Sequence, residues 1–197
     1  MSQQLEIEFK NLLEKEEFLH LIQAFHIKEE DFALQHNHYL DTASFHLKQQ
    51  GCALRIREKE ATFELTLKQP AEIGLLETNQ SLLKEEAEVL LLKGKFPEGI
   101  VKEVLQLTLL EIDSLQHFGT LSTKRAEIPY QEGLLTFDNS FYLGKEDYEL
   151  EYEVQEEKTG QEIFNHLLKK FQIPRRITDN KVKRFYLEKL HQLKEEL

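Results

Sequence analysis

The sequence predicts a single α+β domain, and three observations support that class. Short segments alternate apolar with charged residues, as LEIEFK does at 5–10, and this is the period of a β-strand. Other segments place apolar residues at helical spacing, as NLLEKEEFLHLIQAF does at 11–25. The length of 197 residues suits one domain with a substantial core, so one domain over 1–197 is expected.

The composition excludes several classes of protein. A hydrophobic content of 40% and a charged content of 31% are typical of a soluble globular chain. The net charge of −11 argues against nonspecific binding to nucleic acid or to anionic lipid. No apolar run is long enough to cross a membrane, and the first residues lack the pattern of a secretory signal. Cys52 is the single cysteine, so no internal disulfide is possible and a cytoplasmic location is expected.

The first half of the chain reads as strands with intervening helices. After the strand at 5–10 and the helix at 11–25, the pattern predicts a strand at 33–41, a helical turn at 43–51 closed by Gly51, a hairpin of strands at 52–58 and 62–69, and a short strand at 74–82. The Leu-rich stretch 82–112 is predicted to be mainly helical, with a break at GKFPEG.

The second half repeats this character. Strands are predicted at 118–128, 133–143 and 147–155, followed by a helix at 160–171 and a terminal amphipathic helix that contains KVKRFYLEKLHQL. In the last of these strands, YELEYEV alternates aromatic and aliphatic residues with glutamates, and so mirrors the opening LEIEFK.

The charged faces of these strands sort by sign. The first and last strands are rich in glutamate, whereas the predicted hairpin carries Arg55, Arg57 and Lys68. A solvated sheet face is the commoner explanation for any one alternating strand. Rows of like charge destabilise a solvated sheet, however, and Glu149, Glu151 and Glu153 form such a row.

An enclosed polar site is the alternative explanation for these charges. Clustered carboxylates are tolerated where a divalent cation bridges them, and hard oxygen ligands select Mg²⁺ or Mn²⁺. Guanidinium groups bind phosphate through paired hydrogen bonds. From the residues alone, a solvated sheet and an enclosure for metal and polyphosphate both remain open.

An ordered set of motifs resembles the CYTH domain family, also called the triphosphate tunnel metalloenzymes. EIEFK fits the ExExK signature that opens such domains, and LRIR, LTLK, TKR, FD, YELEYE and NKVKRFY follow in the family's order. The resemblance covers Glu6 to Tyr186. It implies an α+β fold: a closed tunnel, or barrel, of eight antiparallel β-strands with a charged lumen and with helices packed outside.

The same resemblance implies roles for individual residues. The expected metal ligands are Glu6, Glu8, Asp138, Glu149, Glu151 and Glu153. The expected triphosphate-binding residues are Lys10, Arg55, Arg57, Lys68, Arg125 and Lys181, and Lys10 is also the candidate catalytic residue. Whether Lys10 stabilises the transition state or assists the attacking water is open. Which of Lys181, Lys183 and Arg184 points inward is also open.

The expected function is Mg²⁺- or Mn²⁺-dependent hydrolysis of inorganic triphosphate or a small organic triphosphate. Two alternatives stay open, an adenylyl cyclase that makes cyclic AMP from ATP and a noncatalytic polyphosphate-binding or nucleotide-binding module. The expected partner is the small-molecule triphosphate, with neither nucleic acid nor a membrane, and a homodimer is left open.

Two further features are expected to be structural. His36 and His38 share one face of a strand, but no convincing third nitrogen or sulfur ligand accompanies them, so a hydrogen-bonded or exposed pair is predicted. Cys52 has no evident activating partner and is predicted to be a small core residue.

Overall fold

The structure, a computed structural model, describes residues 2–107 and 112–195. Its strands are β1 (Ser2–Leu13), β2 (Ala33–Thr42), β3 (Ala53–Lys59), β4 (Thr62–Pro70), β5 (Leu75–Leu82), β6 (Leu115–Tyr130), β7 (Gly133–Tyr142) and β8 (Lys145–Val154). Its α-helices are α1 (Lys15–Ala24), α2 (His46–Gln49), α3 (Lys84–Lys93), α4 (Ile100–Gln106), α5 (Glu157–Lys170) and α6 (Lys181–Glu195).

The eight strands close into an antiparallel barrel. Hydrogen-bonded neighbours follow the order β1-β5-β4-β3-β2-β6-β7-β8, with β8 paired back to β1. This confirms the closed eight-stranded fold. No helix among the described residues is long and apolar enough to cross a membrane.

The predicted helix at 11–25 is wrong at its start. Asn11, Leu12 and Leu13 continue β1, because their pairing with β8 runs on to Leu13 opposite Tyr148. Helix α1 begins at Lys15, and the Glu17 carboxylate accepts a hydrogen bond from the backbone N–H of Glu14 at 2.8 Å. The apolar residues before α1 fit a helix by spacing alone, but the neighbouring strand determines their conformation.

Other predicted boundaries shift less. The strand predicted at 118–128 is longer and takes in Pro129 and Tyr130, since both pair with β7. The Leu-rich stretch forms α3 and α4 with the predicted break between them, and its residues 108–111 lie outside the described residues. The helical turn closed by Gly51 is confirmed, because Gly51 follows α2 with φ of +72°.

The chain divides into two compact units, and the first comprises Gln35–Leu121 with the start of β1. Its core contains the apolar faces of β3 and β4, where Leu54, Ile56, Leu65 and Leu67 are each at most 1% exposed. These side chains cluster with residues of α3 and α4. Cys52 packs against the same cluster, as predicted for a small core residue. The apolar strand face is therefore covered by helices, and the charged residues occupy the opposite face.

The second unit comprises Glu6–Leu34 and the chain from Ser122 onward. Its core joins the apolar faces of β7 and β8 to helices α1 and α5. Ile7 and Phe9 of LEIEFK pack against this core, and the Phe9 ring stacks on Phe164 of α5 with centroids 6.2 Å apart. Gly160 permits this close approach, because a Cβ there would lie only 2.5 Å from a methyl carbon of Val154.

Candidate functional site

Three buried carboxylates of the second unit form the centre of the candidate site. Asp138 lies on β7 directly opposite Glu149 on β8, and the strand alternation puts Glu151 on the same face as Glu149. One oxygen of each residue lies within 4.8 Å of the others. Asp138 and Glu149 are 0% exposed and Glu151 is 7% exposed. The structure thus brings together three of the six predicted metal ligands.

Cationic side chains compensate these charges. The Lys181 ammonium lies 2.8 Å from Asp138 Oδ2 and also contacts Glu149 and Glu151. Arg125 donates to both oxygens of Asp138, at 2.8 and 2.5 Å, and to Glu151 at 2.7 Å. Because buried charges are stable only when they are paired, the site holds a dense network of ion pairs.

The C-terminal helix supplies two cations to this network rather than one. Lys181 is the first residue of α6, and Arg184, one helical turn later, donates to Glu149 Oε2 at 2.5 Å. Lys183 points away and forms an exposed ion pair with Asp179 at 2.7 Å. Spacing of i and i+3 puts Lys181 and Arg184 on the same face of a helix, and this signal was present in the sequence.

The charged residues of LEIEFK lie along β1 beside β8. Lys10 is paired in register with Glu151, and Glu8 with Glu153. Lys10 also forms an ion pair with Glu8. Glu6 shares this face of β1, and Glu153 is exposed. Glu6, Glu8 and Glu153 lie outside the group of three carboxylates whose oxygens meet within 4.8 Å.

The pKa values of the neighbouring Glu149 and Glu151 are shifted in opposite directions. Burial, which Lys181 partly offsets and Glu151 reinforces, raises the pKa of Glu149 to about 7. Burial acts on Glu151 in the same direction, but Lys181 and Arg125 outweigh it and lower its pKa well below the usual range. A proton bound by this pair of glutamates is therefore held on Glu149 rather than on Glu151.

The lysines of the site stay charged. Burial alone would lower the pKa of Lys10, but the carboxylates of Glu8, Glu151 and Glu149 raise it above its ordinary value. Burial is likewise outweighed at Lys181, whose pKa is raised by the three carboxylates that it contacts. Both ammonium groups are consequently electrostatic groups rather than proton acceptors.

The predicted basic residues of the hairpin lie in the first unit. Arg55 and Arg57 alternate with buried apolar residues on β3 and so share a face. The Nε of Arg57 donates to Asn37 Oδ1 at 3.4 Å, and Lys68 on β4 forms an ion pair with Glu77 on β5.

Polar atoms beside Arg55 lack partners. The register places Arg55 opposite Thr66, which in turn lies opposite Asn79. Within the described part of the chain, Arg55 Nε, Thr66 Oγ1 and Asn79 Oδ1 are all buried and have no hydrogen-bond partner. Such atoms are costly to bury, so this row of residues is suited to hold a polar ligand.

The family of the chain follows from comparison with known proteins. The model of the CYTH domain matches residues 4–186. The chain belongs to the CYTH domain family. The family predicted from the ordered motifs is thereby confirmed.

Relatives of this CYTH domain include proteins with two kinds of name. "Putative triphosphatase YjbK" of Bacillus subtilis (strain 168) is 50% identical over 190 residues, which are 96% of this chain and 98% of that protein. A Bacillus halodurans crystal structure named as a "putative adenylate cyclase" is 51% identical, has a TM-score of 0.92 and covers 94% of this chain and 100% of its own. The Hippeastrum protein HpAC1, described as a "putative adenylyl cyclase" with "a dominant" triphosphatase activity, is 25% identical, with a TM-score of 0.76 and coverage of 92% and 95%.

In this CYTH domain, His38 of the histidine pair is hydrogen-bonded. His38 Nδ1 lies 2.8 Å from Thr120 Oγ1, and His38 Nε2 lies 3.4 Å from Glu58 Oε2. A third imidazole, that of His117, lies beside His38. This neighbour could not be predicted from local sequence patterns, because a contact between β2 and β6 depends on long-range strand pairing.

Proposed function

We propose that this protein hydrolyses a triphosphate, either inorganic triphosphate or a small organic one, with the help of Mg²⁺ or Mn²⁺. The observation that carries the proposal is the buried group of Asp138, Glu149 and Glu151 surrounded by Lys and Arg side chains. A site that bound only an anion would not favour three buried carboxylates, whereas a metal–phosphate complex needs both signs of charge.

The donor set fits a hard divalent cation. Carboxylate oxygens are the ligands that Mg²⁺ and Mn²⁺ prefer, and the group offers one from each of three residues. We assign Asp138, Glu149 and Glu151 as its principal ligands and keep Glu6, Glu8 and Glu153 as further candidates. When bound, the cation would neutralise charge on the phosphate oxygens and lower the pKa of a water molecule.

The chain's own residues bind and orient the substrate. We propose that Arg125, Lys181 and Lys10 bind phosphate oxygens next to the carboxylates, and we keep Arg55, Arg57 and Lys68 of the first unit as further phosphate-binding candidates. The unpartnered Nε of Arg55 supports this role, because a phosphate oxygen would satisfy it. Arg184, which the sequence left among three candidates, joins this set through its contact with Glu149.

Lys10 takes an electrostatic role in this proposal. Its raised pKa keeps the ammonium charged, so it cannot accept a proton from the attacking water. A fixed positive charge beside Glu151 would instead stabilise the negative charge that develops on the transferred phosphoryl group.

Cyclisation of ATP is the second candidate function. It is favoured by the cyclase names of the Bacillus halodurans and Hippeastrum relatives. Hydrolysis is preferred here, because the Hippeastrum protein is described as having a dominant triphosphatase activity and YjbK carries a triphosphatase name. The two reactions require the same phosphate-binding residues and differ in the nucleophile, which is water in one and the ribose hydroxyl in the other.

The decisive experiment compares substrates and products. Purified protein is offered inorganic triphosphate, ATP and thiamine triphosphate with Mg²⁺ or Mn²⁺, while orthophosphate, pyrophosphate and cyclic AMP are measured. We expect orthophosphate release, fastest with inorganic triphosphate. Cyclic AMP as the main product would replace hydrolysis by cyclisation, and binding without turnover of any substrate would favour a noncatalytic module.

A variant of Glu151 tests the metal site itself. Glu151→Gln removes one of the three converging charges, so it should abolish most turnover and reduce the increase in melting temperature that Mn²⁺ produces. Glu146→Gln, on an exposed residue of the same strand, is the matched control and should retain both. Parental turnover and a parental metal response in Glu151→Gln would remove this residue from the site.

Three further expectations belong to the same proposal. One domain over 1–197 carries the activity, and a cytoplasmic location fits the single cysteine. The small-molecule triphosphate is the proposed partner. Sedimentation of the purified protein measures its oligomeric state and so distinguishes a monomer from a homodimer.

A further inference from the structure

Three imidazoles of the first unit, those of His36, His38 and His117, lie close together. The two on β2 lie on the strand face that does not carry Asn37. His36 and His38 alternate on β2, in register with Glu58 and Ile56 of β3. The ring centroids of His36 and His38 are 6.4 Å apart, and those of His38 and His117 are 5.7 Å apart. The proposed hydrolysis does not use this cluster.

Two ring nitrogens of the cluster converge on one point. Thr120 Oγ1 lies 2.8 Å from His38 Nδ1 and 3.2 Å from His117 Nε2. A hydroxyl group has one proton, so it can donate to only one of these two nitrogens, and it can satisfy the other only by accepting an N–H from it. Where both nitrogens carry lone pairs, a group that accepts both lone pairs would satisfy them better than the hydroxyl does.

Further polar contacts of His38 and His117 are with acceptors. Glu58 Oε2 lies 3.4 Å from His38 Nε2, which assigns the proton of that ring to Nε2 and the lone pair to Nδ1. His117 is hydrogen-bonded to the backbone of Gly119. A ring held by an acceptor on one nitrogen, with the other nitrogen directed at a shared point, is the usual arrangement of metal-binding histidine.

The distances between the rings fit a shared metal ion. With metal–nitrogen bonds of about 2 Å, two imidazoles on one ion have centroids roughly 5 to 6 Å apart. The observed separations of 5.7 and 6.4 Å lie at or just beyond this range. Rotation of the Thr120 side chain would vacate the point on which His38 Nδ1 and His117 Nε2 converge.

We propose that His38 and His117, joined by His36, form a second cation site that binds a borderline divalent metal such as Zn²⁺. Imidazole nitrogen suits Zn²⁺, Cu²⁺ and Ni²⁺, whereas the carboxylates of Asp138, Glu149 and Glu151 suit Mg²⁺ and Mn²⁺. The ion would connect β2 to β6 and stabilise the first unit. This site does not depend on the proposed hydrolysis.

The protonation of the rings supports coordination at neutral pH. Burial lowers the pKa of His38, with further lowering from His117 and His36 that Glu58 opposes. Burial also lowers the pKa of His117. Neutral imidazoles need not release a proton before they bind a metal.

The proposal is tested first by titration with Zn²⁺ in the presence of excess Mg²⁺, which occupies hard oxygen sites. We expect one equivalent of Zn²⁺ to bind, and we expect His38→Gln and His117→Gln each to weaken it at least tenfold. His166→Gln, on an exposed histidine of α5, is the control and should bind Zn²⁺ like the parent protein. Parental affinity in both His38→Gln and His117→Gln would overturn the site.

A second measurement starts from the parent protein, so it does not depend on whether the histidine variants fold. Cu²⁺ bound to the parent protein should give an electron paramagnetic resonance spectrum with splitting from at least two nitrogens. The splitting should persist in Glu151→Gln, which changes only the carboxylate group. A spectrum with oxygen ligands alone, or no binding of either metal, would contradict a histidine site.

Discussion

Lys181 is the cationic residue that forms ion pairs with all three carboxylates of the candidate metal site. Its ammonium contacts all three grouped carboxylates, and a divalent cation on those residues needs the same oxygen lone pairs. On the proposed function, Lys181 would therefore compete with the cation for the carboxylates. A bound cation would displace the ammonium, which would then be available to a phosphate oxygen.

This competition predicts opposite effects of one substitution on stability and on metal affinity. Lys181→Met should destabilise the metal-free protein by about 3 kcal/mol or more, because it leaves buried carboxylates less compensated. The same variant should bind Mn²⁺ more tightly than the parent and hydrolyse little triphosphate. Calorimetric titration and thermal melts measure both effects, with Lys183→Met as the control on the exposed side of α6. Weaker Mn²⁺ binding in Lys181→Met would exclude competition.

Arg55 offers a separate prediction in the first unit. Arg55→Ala should raise the KM for triphosphate by roughly tenfold to a hundredfold, since a hydrogen bond to a charged group contributes about 1.5–3 kcal/mol. Lys194→Ala, on an exposed residue near the end of α6, should change KM less than about threefold, since solvent and salt screen its charge. Steady-state kinetics at two salt concentrations give both values. Similar effects of the two variants on KM would mean that Arg55 does not bind the triphosphate.

At the scale of elements, the segment between α5 and α6 determines where Lys181 lies. Asn11 of β1 is fully buried, donates to the carbonyl of Pro174 at 3.1 Å and accepts from the backbone N–H of Arg176 at 2.7 Å. The backbone N–H of Leu12 donates to Thr178 Oγ1 at 2.9 Å. These bonds attach the segment to β1 just before α6 begins.

The attachment predicts that Asn11 affects turnover through the position of α6. Asn11→Ala removes two hydrogen bonds to backbone groups of this segment, so it should cost about 1–3 kcal/mol of stability and lower kcat at temperatures where the variant is fully folded. Gln192→Ala is the matched control, because Gln192 fixes the far end of α6 by donating to the carbonyl of Leu143 at 2.8 Å. It should lose stability but keep kcat. Equal kcat in the two variants would show that the segment has no positioning role.

At the scale of the whole molecule, the alternation along each strand predicted which side chains share a strand face. It did not predict which residues of neighbouring strands lie beside each other. The spacing in YELEYE was enough to place Glu149 and Glu151 on one face, and the structure agrees. Alternation contains no information on register between strands, and register is what brings Asp138 to Glu149. The closed barrel and the role of Asp138 were predicted only through resemblance to a family.

The same limit explains what the sequence did not reveal. Asn11–Leu13 were assigned to a helix because two adjacent leucines fit either period, and only pairing with β8 decides between them. His117 could not be linked to His38, since their contact depends on long-range pairing. Local patterns thus predict elements, and tertiary pairing selects the residues that meet.

The free energy of unfolding of the whole chain should depend on pH through one buried carboxyl group, that of Glu149. The pKa of Glu149 is about 7 in the folded protein and near 4.5 when unfolded, so between these values the folded state holds a proton that the unfolded state has released. Stability from this group is therefore highest below pH 4.5 and falls as the pH rises to about 7. The full loss is on the order of 3 kcal/mol.

Comparison with Glu149→Gln removes the contribution of titrating groups that do not contact Glu149, including the histidines. The free energy of unfolding of the parent, minus that of the variant, should fall between pH 5 and pH 7 and become level above about pH 8. Urea unfolding in chelator-treated buffer at pH 5, 6, 7 and 8 measures the difference. A difference that stays constant or rises with pH would mean that Glu149 is ionised throughout, and that its partners Lys181 and Arg184 compensate its burial fully.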